Sequence, residues 1–357
     1  MSTTPLTPHQ VRYLNTALNK VARTFAILPP FIDAVLADIM SLAYLVCRVV
    51  DSIEDCYQPF DWKQQRFHEV RQLLKTPSLA KEILTVWTDL DWPGLNEDEI
   101  ALMQIHGGLE LWRIYALIPQ KFRTIIQRWV TEMAVGMENT INPVEPPATI
   151  VVGDVIVLDG AKDYDQYCYY VAGTVGYLQT DLLEAFYGFS TDIVKKLKQH
   201  CLAFGLGLQK TNIVKDFLED FNRGVCFIPN SWLAEIKHQP FETKGAPIEW
   251  VKFVLTDVKT SLDEAAEYIG AIPYQTIGIR QATLLCLLPA YKTILLAAEK
   301  SHTLFTHEHQ VKISRDTLSD CFKDAQLISQ DNQLLWQYRD NVDNLFHSYL
   351  GERKKVV

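Results

Sequence analysis

Apolar residues recur at helical spacing along nearly the whole 357-residue chain, with few runs of strict alternation and no glycine-rich strand-to-helix turn of the nucleotide-binding kind. A chain patterned this way must bury long helical stripes against one another, which predicts an all-α fold. Helices are expected over about residues 7–22, 31–57, 62–75, 78–88, 97–107, 121–139, 163–187, 191–220, 247–269, 275–299, 314–328 and 331–350. Apolar residues make up 48% of the chain, enough for a sizeable core. With no fixed-period repeat and no low-complexity linker, the expected organisation is one domain over residues 1–357. One segment breaks the pattern. VEPPATIVVGDVIVLDG (144–160) carries a β-branched run on each side of Gly153-Asp154 and reads as a small β-hairpin insert.

A formal charge of −9 and the lack of any basic stretch argue against nucleic acid as a partner, because such proteins need a phosphate-neutralising surface. The seven cysteines are scattered, with no CxxC spacing and no clustering with histidine, as expected for reduced thiols in a cytoplasmic protein. The opening MSTTPLTPHQ lacks the basic-then-apolar pattern of a signal peptide. Two apolar stretches invite a membrane reading, but Phe25 to Val50 contains Asp33, Asp38 and Arg48, and Ala282 to Ala298 is broken by Pro289 and Lys292. Both are expected as buried helices and not as transmembrane anchors.

Chemistry concentrates in two acidic clusters. DSIED places Asp51 and Asp55 at i and i+4, about one turn apart on one helix face, with Glu54 alongside and the apolar run LAYLVCRVV before them. GLGLQKTNIVKDFLEDFNRG repeats the arrangement with Asp216 and Asp220, and Glu219 lies beside Asp220. Gln209, Asn212, Asp216 and Asp220 form a polar stripe on a helix whose other faces carry Leu206, Leu208, Ile213 and Phe217. A single acidic pair is more often a solvated helix face. Two in apolar surroundings suit Mg²⁺, which takes one or two carboxylates together with substrate phosphate oxygens; zinc is disfavoured for lack of a His/Cys set. Arg23, Arg48, Lys210 and Lys215 lie at the same places, as phosphate ligands or as ion-pair partners of the carboxylates. Between the clusters, Val171-Ala172-Gly173-Thr174-Val175-Gly176 is poor helix by propensity and implies either tight helix packing or a kink that leaves room for a long apolar ligand.

Taken together, DSIED (51–55), YCYYVAGTVG (167–176), LQKTNIVKDFLED (208–220) and VARTFA (21–26) resemble the squalene/phytoene synthase family, with the likeness covering about residues 15 to 330. LQKTNIVKDFLED, and VKISR (311–315) beside the family's basic NADPH stretch, bring the likeness closer to the squalene synthases. Ser314 stands where those enzymes carry their middle arginine. Thr283, Leu285 and Ala290 surround Pro289 in place of a phenylalanine pair and a glutamine. Ending in LFHSYLGERKKVV with no apolar span, the chain is similar to the soluble bacterial form.

The resemblance implies an isoprenoid synthase helical bundle that joins two farnesyl diphosphates head to head through presqualene diphosphate, then reduces to squalene with NADPH. Without the reductive step, proton loss gives dehydrosqualene, and the alternative within the family is a dehydrosqualene or phytoene synthase; a non-catalytic lipid-binding helical protein is the alternative of another class. Metal ligands are expected at Asp51, Glu54, Asp55, Asp216, Glu219 and Asp220. Tyr167 and Tyr44 are the expected catalytic residues. Arg23, Arg48, Val171, Gly176, Gln209, Asn212, Lys215 and Phe227 are expected to bind substrate, and Arg48, Lys215, Lys312 and Arg315 the nicotinamide cofactor. An insoluble product would bring peripheral membrane contact, although no amphipathic basic helix marks it. Oligomeric state is left open.

Overall fold

In the computed structural model, the structure describes residues 6–22, 25–142, 149–152, 155–232, 246–306 and 308–351. Arg23, and residues 144–148 and 153–154 of the insert, lie outside them. Among the described residues are fifteen α-helices and a three-stranded sheet, so the all-α expectation with a small hairpin holds. The chain divides into two compact units, Met1–Pro146 with Tyr177–Ser190, and Pro147–Gly176 with Thr191–Val357.

The first unit contains α1 (Pro8–Val21), α2 (Ala34–Asp55), α3 (Phe60–Lys75), α4 (Ala80–Thr88), α5 (Glu97–Met103), α6 (Ile105–Leu117) and α7 (Gln120–Thr140). Helix α2 is its axis, packed by α1, α3, α5, α6 and α7. Leu36, Leu42, Leu45, Val46, Val49, Val50 and Ile53 are buried around it, each worth about 1.5–3 kcal/mol on leaving water. The acidic end of α2 is therefore fixed by an apolar shaft. Helix α6 was not expected from the sequence. The predicted 97–107 helix ends at Met103, Gln104 is extended (φ −99°, ψ 155°), and the carbonyl oxygens of Ala101 and Leu102 lie against Gly107 and Gly108, where any Cβ would collide.

The second unit begins with β1 (Thr149–Val152) and β2 (Val155–Leu158), antiparallel as the hairpin reading predicts. It continues with α8 (Ala161–Cys168), a π-helical segment (Tyr169–Gly173) and α9 (Thr174–Tyr187), whose first turn belongs here and whose remainder belongs to the first unit. Then follow α10 (Thr191–Lys215), α11 (Phe217–Asn222), β3 (Val225–Cys226), α12 (Ile248–Ala271), α13 (Ile277–Glu299), α14 (Arg315–Ile328) and α15 (Asn332–Tyr349). Helix α10 is the axis of this unit, packed by α8, the π segment, α12 and α13. The third strand was not foreseen: β3 pairs parallel with β2, placing Ile156 opposite Val225 and Val157 opposite Cys226.

Two predicted continuous helices are interrupted. The 163–187 helix contains the π segment, and the glycines there serve close packing: a Cβ on Gly176 would meet the Cys201 carbonyl oxygen, and one on Gly205 the Ala172 carbonyl oxygen. Gly205→Ala is expected to lower stability by about 1–3 kcal/mol in chemical unfolding, because a backbone carbonyl cannot rotate away; an unchanged midpoint would show that the helices can separate. The 191–220 helix breaks at Asp216 (φ −96°, ψ 9°). Helical hydrogen bonding nevertheless spans the break, Asp216 N donating to Asn212 O at 2.8 Å and Asp220 N to Asp216 O at 3.0 Å, so the polar stripe persists.

Among the described residues one segment, Tyr274–Glu299, is long and apolar enough to cross a membrane; 78% of its most apolar window is buried, as in a core helix.

Candidate active site

The first acidic motif occupies the last turns of α2. Arg48 bonds tightly to Glu99 through Nη2, while its guanidinium lies 3.7 Å from Asp51 and 4.0 Å from Asp55. Glu99 is buried on α5, where it forms a capping box with Asn96: the Asn96 N–H donates to Glu99 Oε2 at 3.1 Å, and Asn96 Oδ1 accepts from the Glu99 N–H at 3.1 Å. Asp51 Oδ1 is buried and has no hydrogen-bond partner. Burial pushes the Asp51 carboxyl up to about 7; Arg48 opposes that rise, and Asp55 and Glu99 add to it. Lys63 Nζ donates to the backbone carbonyl of Glu54 at 2.5 Å, closing the end of the motif. Tyr44, one turn before Arg48, packs at 5.1 Å from the Phe25 ring, and burial, with Asp51 behind it, pushes its phenol up to about 12. Tyr44 thus keeps its proton at neutral pH.

The second motif spans the joint of α10 and α11. Lys215 Nζ lies 3.1 Å from Asp216 Oδ2 and 3.1 Å from Asn212 Oδ1, and Arg223 pairs with Asp220. Asp220 is buried and its carboxyl is raised by that burial, with Arg223 pulling the other way. Glu219 and Asn212 are exposed and Gln209 is half-buried. Lys210, for which the sequence left phosphate ligand and ion-pair partner both open, is enclosed, with Nζ 2.8 Å from Asp165 and 2.8 Å from Asp257, over the Tyr164 ring at 5.1 Å. It joins α8, α10 and α12 as an internal ion pair.

Tyr167 is buried at the end of α8 and stacks on Phe227, ring centres 4.3 Å apart and planes 10° from parallel. Phe227 directly follows β3, and the β2–β3 pairing continues with Asn230 N donating to Leu158 O at 2.9 Å and Ser231 N to Asp159 O at 2.8 Å. The hairpin insert therefore fixes the Phe227 ring against Tyr167. Val171 and Gly176 lie on the π segment and the first turn of α9, Val171 half-buried and Gly176 against α10.

Lys312 and Arg315 are both exposed, and among the described residues neither is in an ion pair. Ser314, standing in the arginine position, caps α14: its Oγ accepts from Thr317 N at 3.0 Å. Thr283, Leu285 and Ala290 are buried in α13, and Thr283 Oγ1 donates to Ile279 O at 2.9 Å.

Among the described residues no three acidic, histidine or cysteine side chains converge on one point. A cation at the end of α2 would rest on Asp51 and Asp55 and draw further oxygens from elsewhere, which is how Mg²⁺ is commonly bound with phosphorylated substrates. The unpartnered Asp51 oxygen fits that use. Sequence reasoning missed Glu99, Asp165 and Asp257. The spacing Asn96-x-x-Glu99 does spell a capping box, but nothing local shows that its second oxygen reaches Arg48.

Residues 18–317 match the squalene/phytoene synthase family, and the chain belongs to it. It is a member of a family of enzymes that make isoprenoids. Squalene synthase of Homo sapiens is 22% identical over 332 residues, 91% of this chain and 72% of that protein. In fold, the chain is similar to a solved complex of TcSQS with the ligand BPH1237 (TM-score 0.76, 22% identity, 96% of this chain and 98% of the other). It is also similar to a dehydrosqualene synthase solved with a ligand (TM-score 0.60, 18% identity, 89% and 96%).

Proposed function

We propose that the protein is a Mg²⁺-dependent farnesyl-diphosphate farnesyltransferase that makes squalene with NADPH. The observation that carries this is the unsatisfied carboxylate oxygen of Asp51 at the end of a buried helix, in a chain that keeps every acidic residue of both motifs. Asp51, Glu54 and Asp55, and Asp216, Glu219 and Asp220, would hold Mg²⁺, which when bound stabilises a departing diphosphate. Arg48 and Arg23 would add positive charge for phosphate oxygens at the first motif, and Lys215 at the second. Gln209 and Asn212 extend the polar stripe and orient the phosphate end. Val171 and Gly176 belong to the apolar wall that keeps water from an allylic cation.

The stacked rings of Tyr167 and Phe227 would offer π faces to that cation, and the Tyr167 hydroxyl is assigned the passing of a proton toward released diphosphate. Tyr167→Phe is expected to slow formation of presqualene diphosphate by about 10²-fold with farnesyl diphosphate binding unchanged; unaltered kinetics would remove Tyr167 from the proton path. Lys312 and Arg315 are assigned to the phosphates of NADPH, which when bound supplies the hydride of the second step.

A second reading, dehydrosqualene or phytoene formation without reduction, is favoured by Ser314, which spends the middle basic position on a helix cap. Incubation with farnesyl diphosphate separates squalene and dehydrosqualene formation from a non-catalytic lipid-binding protein: either enzyme releases inorganic diphosphate only when Mg²⁺ is present, and a lipid carrier releases none.

A further inference from the structure

We propose that Glu99 is a positioning residue for the first acidic motif: by engaging the Arg48 guanidinium, it leaves Asp51 Oδ1 unclaimed for a divalent cation. This rests on the metal-dependent function proposed above.

Arg48 sits one turn before Asp51 on the same helix face, so in an isolated helix its natural partners are Asp51 at i+3 and Asp55 about two turns on. The structure shows another choice. The direct charge-assisted bond goes to Glu99, and Asp51 and Asp55 stay at 3.7 Å and 4.0 Å, beyond hydrogen-bond range. Both aspartates feel the positive charge without giving it their oxygens, and Asp51 Oδ1 is left without any partner.

Glu99 can compete in this way because it is held from two directions. Its Oε2 accepts from the Asn96 backbone, and Asn96 Oδ1 accepts from the N–H groups of Asp98 (3.0 Å) and Glu99 (3.1 Å), so the carboxylate is set by the first turn of α5. Helix α5 in turn packs on α2. The Glu99 side chain is 10% exposed, so solvent does little to weaken the bond. If Glu99 loses its charge, the guanidinium is free to rotate onto Asp51 and to cover the oxygen that a cation requires. A partner that orients the neighbours of metal ligands typically changes metal affinity by about 10–100-fold when removed.

The test is a calorimetric titration of the purified full-length protein with Mg²⁺ in the presence of inorganic diphosphate. Glu99→Gln keeps the shape and the capping geometry, and about tenfold weaker Mg²⁺ binding than wild type is expected, with an unchanged circular dichroism spectrum. Asn96→Ala leaves the Glu99 charge and the backbone N–H that its carboxylate accepts from, but removes the side-chain cap that sets the first turn of α5, and a smaller loss, about threefold, is expected; it serves where Glu99→Gln does not fold. Folded variants that bind Mg²⁺ as tightly as wild type would overturn the inference while Asp51→Asn, by losing Mg²⁺ binding, still upholds the metal site. Wild type that takes up no Mg²⁺ would overturn both.

Discussion

Asp51→Asn and Asp216→Asn are each expected to leave a folded protein whose turnover is lower by about 10³-fold or more, equivalent to about 4 kcal/mol of lost transition-state stabilisation. Asparagine has the shape of aspartate, so packing on the apolar shaft of α2 is kept. At Asp216 the change removes an ion pair with Lys215 that is roughly 40% exposed, worth at most about 1 kcal/mol.

At Asp51 the variant should gain stability. Its folded carboxyl titrates near 7, above the 3.8 of the unfolded chain, so between those values the folded protein binds more protons than the unfolded one. Asp51 therefore lowers stability progressively as pH rises through that window, and asparagine removes the dependence. Thermal unfolding of wild type and Asp51→Asn at pH 5 and pH 7.5, without Mg²⁺, checks the sign: the variant should lead by more at pH 7.5. Retained turnover in both asparagine variants would remove the two motifs from the chemistry.

Arg280→Met is the largest expected loss of stability, about 3–5 kcal/mol, read as a lower denaturant midpoint. Arg280 is fully buried in α13. Its Nη1 donates to Ile269 O at 2.9 Å and Ile272 O at 2.7 Å, Nε to Ser329 O at 2.7 Å, and Nη2 to Asn332 Oδ1 at 2.5 Å, with the Tyr274 ring 4.5 Å away. The carbonyls come from the ends of α12 and α14, where helix dipoles concentrate negative charge. One cation thus satisfies the termini of two helices. Methionine fills the stem but leaves those carbonyls buried and unpaired. A loss under about 1 kcal/mol would mean that water replaces the guanidinium.

The helical content and the motif positions were readable because they depend on local pattern: the apolar shaft of α2 ends at DSIED, and the β-branched runs around Gly153-Asp154 pair as a hairpin. What escaped depends on distant groups. Gly107-Gly108 argues against helix locally, yet α6 forms because those glycines let the chain fold back on the end of α5. Strand β3 is two residues long, too short to show a period, and exists because β2 offers it an edge. The π segment and the break at Asp216 follow from the close approach of α10 to its neighbours and from the joint between α10 and α11; hydropathy carries neither. For the candidate site, residue types at i and i+4 pointed to the carboxylates. Which cation each one meets was not legible, since Arg48 reaches across to Glu99 and Lys210 to Asp165 and Asp257.

Incubating the purified protein with farnesyl diphosphate and Mg²⁺, with and without NADPH, and identifying the hydrocarbons by mass is the most direct test of the proposed activity. Squalene formed only with NADPH is the expected result. Dehydrosqualene under both conditions, or farnesyl diphosphate left unconsumed, would contradict it.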